Sequence, residues 1–330
     1  MHSVGLGGLA VVLALAPAAP ARASGAEQQP DRLVVATTVA PITSIVANIA
    51  GERAEVVGIV PEGTNSHTFE PLPSDAELLS RTDVLYANGL QLEEPIVDLA
   101  AANLADPAAI LRLGNAVLSE EDLLYDFSFP ESEGKPNPHL WTDPHYARLY
   151  AEVVANDLAA RDPVNADFYI ANFDAFSQLV EELDAAMRLS FATIPRRVLV
   201  TYHDAYAYFA ETYGWTVLGA IEVSDFSEPS PRDVAELIDQ IRAEDVPAIF
   251  GSEVFPSPVL EQIAAETGAT YVADLRDDDL PGEPGDPEHS WHGLMLFNYI
   301  TMTDALGGDA SRLREIEPRN VVPDTAEYPQ

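Results

Sequence analysis

The feature that most narrows the fold is an alternation. RLVVATT (32–38) reads as a buried strand and VAPITSIVANIAG (39–51) as a helix closed by Gly51. AEVVGIV (54–60), DVLYANG (83–89) and AAILRL (108–113) read as further strands, with DAELLSR (75–81) and EEPIVDLAAANL (93–104) as the helices between them. The rhythm returns later in the chain. RRVLVTY (196–202), WTVLGAIE (215–222), VPAIFGSE (246–253) and TYVADL (270–275) are strands. DAYAYFAETYG (204–214), SPRDVAELIDQIRAED (230–245), SPVLEQIAAETG (257–268) and about 291–306 are helices. Strand–helix units bury their apolar runs as parallel sheets flanked by helices, joined by right-handed crossovers. The fold class is therefore α/β.

Residues 114–138 break the rhythm with an acidic loop containing Pro and Gly, and two long helical stretches follow, 144–161 and 164–192. In the second, Phe168, Phe173, Phe176, Leu179, Leu183, Met187 and Leu189 recur mostly at three- and four-residue steps, giving one apolar stripe. At about 1.5 Å per residue that helix is roughly 40 Å long, which suits a rod between two lobes. The expected organisation is a signal peptide at 1–23, an N-terminal α/β lobe at 32–162, a linking helix at 163–194 and a C-terminal α/β lobe at 195–330, with a cleft between the lobes.

The leading segment carries an export signature. Val4 to Ala19 is apolar or small, and Ala21-Arg22-Ala23 offers an A-x-A cleavage pattern before Ser24, although Met1-His2-Ser3 contains no Lys or Arg. No later segment has the run of apolar residues needed to span a bilayer, so the mature chain is expected not to cross one. The chain contains no cysteine, which excludes disulfides and thiolate ligands within it and leaves no lipobox cysteine. A periplasmic or secreted, freely diffusing protein is expected. Charge is lopsided: 54 acidic residues against 17 basic ones give a net −37, and Lys135 is the sole lysine. Such a surface repels nucleic acid and anionic lipid and attracts cations. Dense carboxylates also suit salty surroundings, where ions screen their repulsion.

The histidines supply the chemistry. Ligands of a parallel sheet sit in loops outside the carboxyl ends of strands. His67, in GTNSHTFEP, follows the strand ending at Val60, and His203 directly follows RVLVTY. His139 lies in NPHLWTDP, a loop stiffened by prolines, and Asp277, Asp278 and Asp279 follow the strand ending near Leu275. Two loops come from each lobe, so all four can reach one point in the cleft. Three imidazoles and a carboxylate complete a four-coordinate shell for a borderline-soft divalent ion. Duller readings exist: Asp204 as a helix cap with His203 incidental, and the acidic triplet as a solvated turn. His145, His289 and His292 are read as structural.

In combination these motifs resemble the metal-binding solute-binding proteins of zinc and manganese ABC importers. GTNSHTFEP is similar to their Pro-His-x-Tyr-Glu-Pro loop and NPHLWTDP to their Pro-His-x-Trp-x-Asp-Pro segment. TYHDAYAYFAETYGW resembles their Ser-His-x-Ala-x-x-Tyr-x-x-x-x-Tyr-Gly stretch, and DDDLPG their Asp-Ser-Leu turn. The resemblance runs from about Leu33 to Leu306. It implies two α/β lobes bridged by one long rigid helix, with the metal buried between them and small lobe movements. The ligands it implies are His67, His139, His203 and Asp278, with Asp277 one register away. It also implies a cognate permease and its ATPase as partners, and a monomer is expected. The chain departs from many zinc-type relatives in lacking a histidine-rich loop: 119–138 is acidic and histidine-free.

Three nitrogens with one carboxylate suit Zn2+ better than Mn2+, and manganese-type relatives tend to carry glutamate at the third ligand, where this chain has His203. Mn2+ or Fe2+ is the alternative cargo. A three-histidine zinc hydrolase, with water as fourth ligand, is a competing class. The chain lacks H-E-x-x-H and G-x-S-x-G, and an aspartate in the fourth position leaves no activated water. Glu70 reads as a loop brace, or as a partner behind the ligands, rather than a general base. A surface adhesin is the third class.

Overall fold

The computed structural model describes residues 1–2, 32–126, 128–221, 229–254 and 257–330. The expected signal peptide and the end of the strand read at 215–222 fall largely outside them. The first sheet is wholly parallel: β1 (Leu33–Thr37), β2 (Ala54–Gly58), β3 (Val84–Ala87) and β4 (Ile110–Arg112) lie in the order β2-β1-β3-β4. Val35 at its centre is in register with Val56 on one side and Val84 on the other. β1 is thus covered on both edges and both faces, which is why its sequence is a continuous apolar run rather than an alternating one.

The helices α1 (Ala40–Ala50), α2 (Pro73–Ser80) and α3 (Glu94–Asn103) connect these strands, and the short α4 (Leu113–Val117) follows β4. Every residue of α1 is buried, as expected of a helix apolar on all sides. It lies between the sheet and the long helices α5 (Pro144–Arg161) and α6 (Ala166–Phe191). Along α6, Tyr169, Asn172, Phe176, Leu179, Val180, Leu183, Met187 and Phe191 face inward. Phe168 and Phe173 are half-buried, and Leu189 is 60% exposed. Two residues past Met187 lies roughly 200° around the helix, so Leu189 belongs to the opposite face.

The second lobe repeats the architecture. β5 (Val198–Thr201) pairs in parallel with β6 (Thr216–Ala220), and β7 (Ala248–Ser252) with β8 (Thr270–Leu275); β5 also lies beside β7. The helices are α7 (Ala207–Tyr213), α8 (Pro231–Glu244), α9 (Pro258–Thr267), α10 (Trp291–Ala305) and α11 (Ser311–Arg314). α8 opens on a capping box in which Ser230 and Asp233 satisfy each other's backbone N–H. α7 starts later than its sequence suggests because Asp204 Oδ1 accepts from Tyr206 N (2.9 Å), holding 203–206 as a turn. α6 is the long helix linking the two lobes.

The segment after α11, read from sequence as part of the second lobe, returns to the first. Gly58 N donates to Glu327 O (2.9 Å) and Glu327 N to Val56 O (2.9 Å), extending the sheet beyond β2. Asn48 clamps the same segment, donating to Asn320 Oδ1 and accepting from Val321 N. Among the described residues no helix is long and apolar enough to cross a membrane.

Candidate metal centre

GTNSHTFEP folds as a pair of tight turns. Gly63 adopts φ +77°, a left-handed conformation that strains any side-chain-bearing residue, and its N–H reaches both oxygens of Asp279 at 2.9 Å. Asn65 Oδ1 accepts from His67 N (2.9 Å), an Asx turn that presents the imidazole inward. Glu70 is exposed, with no place in the centre.

NPHLWTDP is anchored at nearly every residue. Pro138 O accepts from Asn88 Nδ2 (2.9 Å), Trp141 Nε1 donates to Asp277 O (2.7 Å), and Thr142 Oγ1 donates to Ala205 O (2.8 Å). Asp143 caps α5 by accepting from His145 N (2.9 Å). The loop from the first lobe is therefore bonded to two loops of the second. There β5, β7 and β8 deliver His203, Glu253 and the aspartate triplet from adjacent carboxyl ends, as the topology of a parallel sheet requires.

The three sequence-predicted histidines meet. His67 Nε2 and His203 Nε2 lie 3.1 and 3.3 Å from His139 Nε2, and one ring nitrogen of each falls within 4.8 Å of the others. His139 is fully buried, His203 nearly so, and His67 partly. Phe129 packs against His67 and His139 with ring centroids 5.5 and 5.6 Å apart, and Trp141 lies 5.1 Å from His139. Behind His67 a crevice of about 60 Å3, lined by Leu90, Phe129, Lys135 and Pro138 among others, leads outward.

The three aspartates of the triplet take different partners. Asp277 Oδ2 lies 3.0 Å from His203 Nε2 and 3.8 Å from His139 Nε2. Asp278, expected as the ligand, is also buried; its Oδ2 accepts from Ser66 N (3.3 Å), while Oδ1 is buried without a hydrogen-bond partner. Asp279 is spent on Gly63. A one-residue shift along a tight turn exchanges which carboxylate points at the imidazoles, and the sequence pattern alone does not fix that register.

Sequence reading missed Glu253. Its Oε1 accepts from the backbone N–H of Asp277, Asp278 and Asp279 at 2.9, 3.2 and 3.2 Å, shaping the turn that carries the carboxylates. Its only sequence signal was its position at the carboxyl end of the strand read at 246–253. Glu62 was missed too: it accepts from Leu280 N (2.9 Å) and lies 3.0 Å from His289 Nε2, tying the His67 loop to the second lobe. His289 thus has a structural partner. His292 Nδ1 accepts from Arg319 N (3.3 Å), and neither residue joins the histidine cluster.

The electrostatics favour a cation. Burial pushes His67 and His139 well below the usual histidine range, and the charge of His203 adds to this, so both present neutral imidazoles. Burial likewise raises the acids: Asp277 to about 7, Glu253 to about 8, and Asp278 well above its ordinary value. Neighbouring carboxylates add to each shift, through Asp279 on Asp277 and through Asp277 on Asp278 and Glu253. Neutral imidazoles offer lone pairs to a divalent cation, and its positive charge would favour ionising the crowded acids into ligating carboxylates.

Known proteins resemble this chain along most of its length. The family model described as zinc-uptake complex component A, periplasmic, matches residues 35–305. The manganese-binding lipoprotein MntA of Halalkalibacterium halodurans is 30% identical over 298 residues, covering 90% of this chain and 96% of that protein. The iron-binding protein YfeA of Yersinia pestis is 30% identical over 275 residues, covering 83% and 86%. Among solved structures, the periplasmic zinc-binding protein TroA from Treponema pallidum superposes with TM-score 0.75 at 26% identity, covering 83% of this chain and 99% of that one. A crystal structure of ZnuA superposes with TM-score 0.72 at 25% identity, covering 84% and 99%.

One expectation is corrected. Relatives including those of H. halodurans and Streptococcus pneumoniae are named lipoproteins, which overturns the freely diffusing form inferred from the missing lipobox cysteine. Absence of one residue type is poor ground for deciding how a protein is held at a membrane; the extracytoplasmic location stands. Members of this class bind substrates for ABC importers and are not enzymes, which sets aside the zinc-hydrolase reading. The chain belongs to the family of periplasmic zinc-uptake component A, the metal-binding substrate-binding proteins of ABC importers.

Proposed function

We propose that this protein captures Zn2+ in the inter-lobe cleft through His67, His139, His203 and a carboxylate of the 277–278 pair, and delivers it as a monomer to a cognate permease driven by an ATPase. The observation that carries this reading is the convergence of three imidazoles on one point, His67 and His203 Nε2 standing 3.1 and 3.3 Å from His139 Nε2. Three nitrogens with an oxygen suit zinc, a borderline-soft ion content with four ligands.

Mn2+ or Fe2+ is the second reading, and a specific observation favours it. Two buried carboxylates, Asp277 and Asp278, flank the imidazoles, so a shell richer in oxygen than three nitrogens and one carboxylate is within reach. Relatives are named for manganese and iron as well as zinc. Metal content after purification without added metal, followed by competition of Zn2+ against Mn2+ for the metal-free protein, tests the assignment. Zinc is expected to displace manganese at equal concentration. Retention of manganese against an equal concentration of zinc would reverse the assignment of cargo, and failure to bind either ion would remove the centre altogether.

A further inference from the structure

The Nδ1 side of His139 is as closely organised as its Nε2 side. Asn137 Oδ1 lies 3.0 Å from His139 Nδ1 and accepts from His139 backbone N at 2.9 Å. Asn137 Nδ2 donates to Asp126 Oδ2 (2.7 Å) and to Asp204 O (2.5 Å). Four contacts therefore use the whole amide, and they fix which end is nitrogen. A flipped side chain would aim its NH2 at a backbone N–H and its oxygen at two acceptors. Asp126 is itself held in place, since its Oδ1 accepts from Ser128 N (2.8 Å) and Phe129 N (3.1 Å). Asn137 is fully buried, so no solvent competes for these positions.

We propose that Asn137 is a positioning residue that sets the tautomer of His139, holding the ring proton on Nδ1 so that the Nε2 lone pair faces the point where the three imidazoles meet. The inference rests on the metal-centre reading above and deepens it. A neutral imidazole carries its proton on either nitrogen. In the wrong tautomer an N–H would point at the incoming cation and the proton would have to move first. Asn137 Oδ1 removes that step, because an acceptor fixed beside Nδ1 stabilises the proton there. The same amide also ties the His139 loop to Asp204, the neighbour of His203, so the two donors from different lobes share one brace.

The test uses the full-length metal-free protein with 15N-labelled histidine, and Zn2+ alone as the probe. Ring-nitrogen NMR reports the tautomer directly, with the His139 signals assigned by their loss in His139→Ala. The wild type is expected to show Nδ1 protonated and Nε2 unprotonated. Asn137→Ala is expected to lose that single tautomer and to bind Zn2+ about 10–100-fold more weakly, the range typical for an outer partner of a metal-bound histidine. Asn137→Asp keeps the acceptor and loses both donors. It is expected to retain the Nδ1–H form and to bind more tightly than Asn137→Ala, which a purely bracing role would not produce. A wild-type His139 protonated on Nε2 overturns the proposal whether or not the variants fold. So does an Asn137→Ala protein with an unchanged tautomer. If His139→Ala binds Zn2+ as the wild type does, the metal centre itself is misplaced, a separate outcome from either of these.

Discussion

His203 holds the most information about cargo, because it touches both His139 Nε2 and Asp277 Oδ2. His203→Ala is expected to weaken Zn2+ binding beyond the about 10–100-fold typical of an outer partner, read by competition with a chelator. His203→Glu, which replaces a nitrogen donor with an oxygen, is expected to narrow the preference for Zn2+ over Mn2+ in the same titration. Glu253 offers a sharper comparison, since its carboxyl is held up to about 8 and is largely protonated at neutral pH. Glu253→Gln preserves an oxygen for the three backbone donors and is expected to leave the metal-free protein nearly as stable. Glu253→Ala orphans those donors and is expected to destabilise it by at least about 1–3 kcal/mol, the penalty for a single unsatisfied buried group. Denaturant melts of the two variants side by side check this. Equal loss in both would mean that the charge, not the acceptor, holds the aspartate turn.

Elements carry the next level of support. Phe176 on α6 is fully buried, its ring 5.3 Å from that of Trp291, and Trp291 Nε1 donates to Trp141 O beneath the His139 loop. Phe176→Ala is expected to cost about 3–5 kcal/mol, as large-to-small core changes do, and to lower metal affinity as the support under Trp141 slackens. Chemical denaturation and Zn2+ titration of the one variant measure both. Elements were also what the sequence revealed best. The strands and helices follow from apolar runs and period alone, and the loops of His67 and His139 were visible because Asn, Pro and Gly punctuate them. What stayed hidden depends on contacts between distant residues. Glu253 gains its role from the turn that follows the neighbouring strand, more than twenty residues on in the chain, and Glu327 extends the first sheet although its neighbourhood carries no strand pattern. The choice between Asp277 and Asp278 is a matter of register within one turn, which no periodicity records. Leu189 was drawn into a stripe it does not join, since it stands two residues from Met187 and Phe191 on the buried face and so falls on the opposite side of the helix.

Across the whole molecule, buried acids set the response to pH. Glu93, Asp204 and Asp277 are each pushed up to about 7, and Glu253 to about 8, chiefly by burial. Between about 4 and about 8 these four carboxyls therefore bind more protons in the folded chain than in the unfolded one. Stability from these groups is fully present below their unfolded values and is lost as pH rises through the folded ones. Metal-free protein is expected to melt at a higher temperature at pH 5 than at pH 8, with Zn2+ narrowing the gap by supplying positive charge where protons are lost. Calorimetry at the two pH values, with and without zinc, reads this out; a metal-free protein more stable at pH 8 would show that the buried acids do not govern the response. The crevice wall holds one more consequence. Lys135 is the sole lysine, it is exposed, and it lines the same crevice as His67. Apart from the terminal amine, an amine-reactive dye has one side chain in this chain to modify, and that side chain stands at the approach to the histidines. A single mild labelling reaction would thus place a fluorescent reporter where arrival and departure of the ion change its surroundings, with no cysteine to engineer.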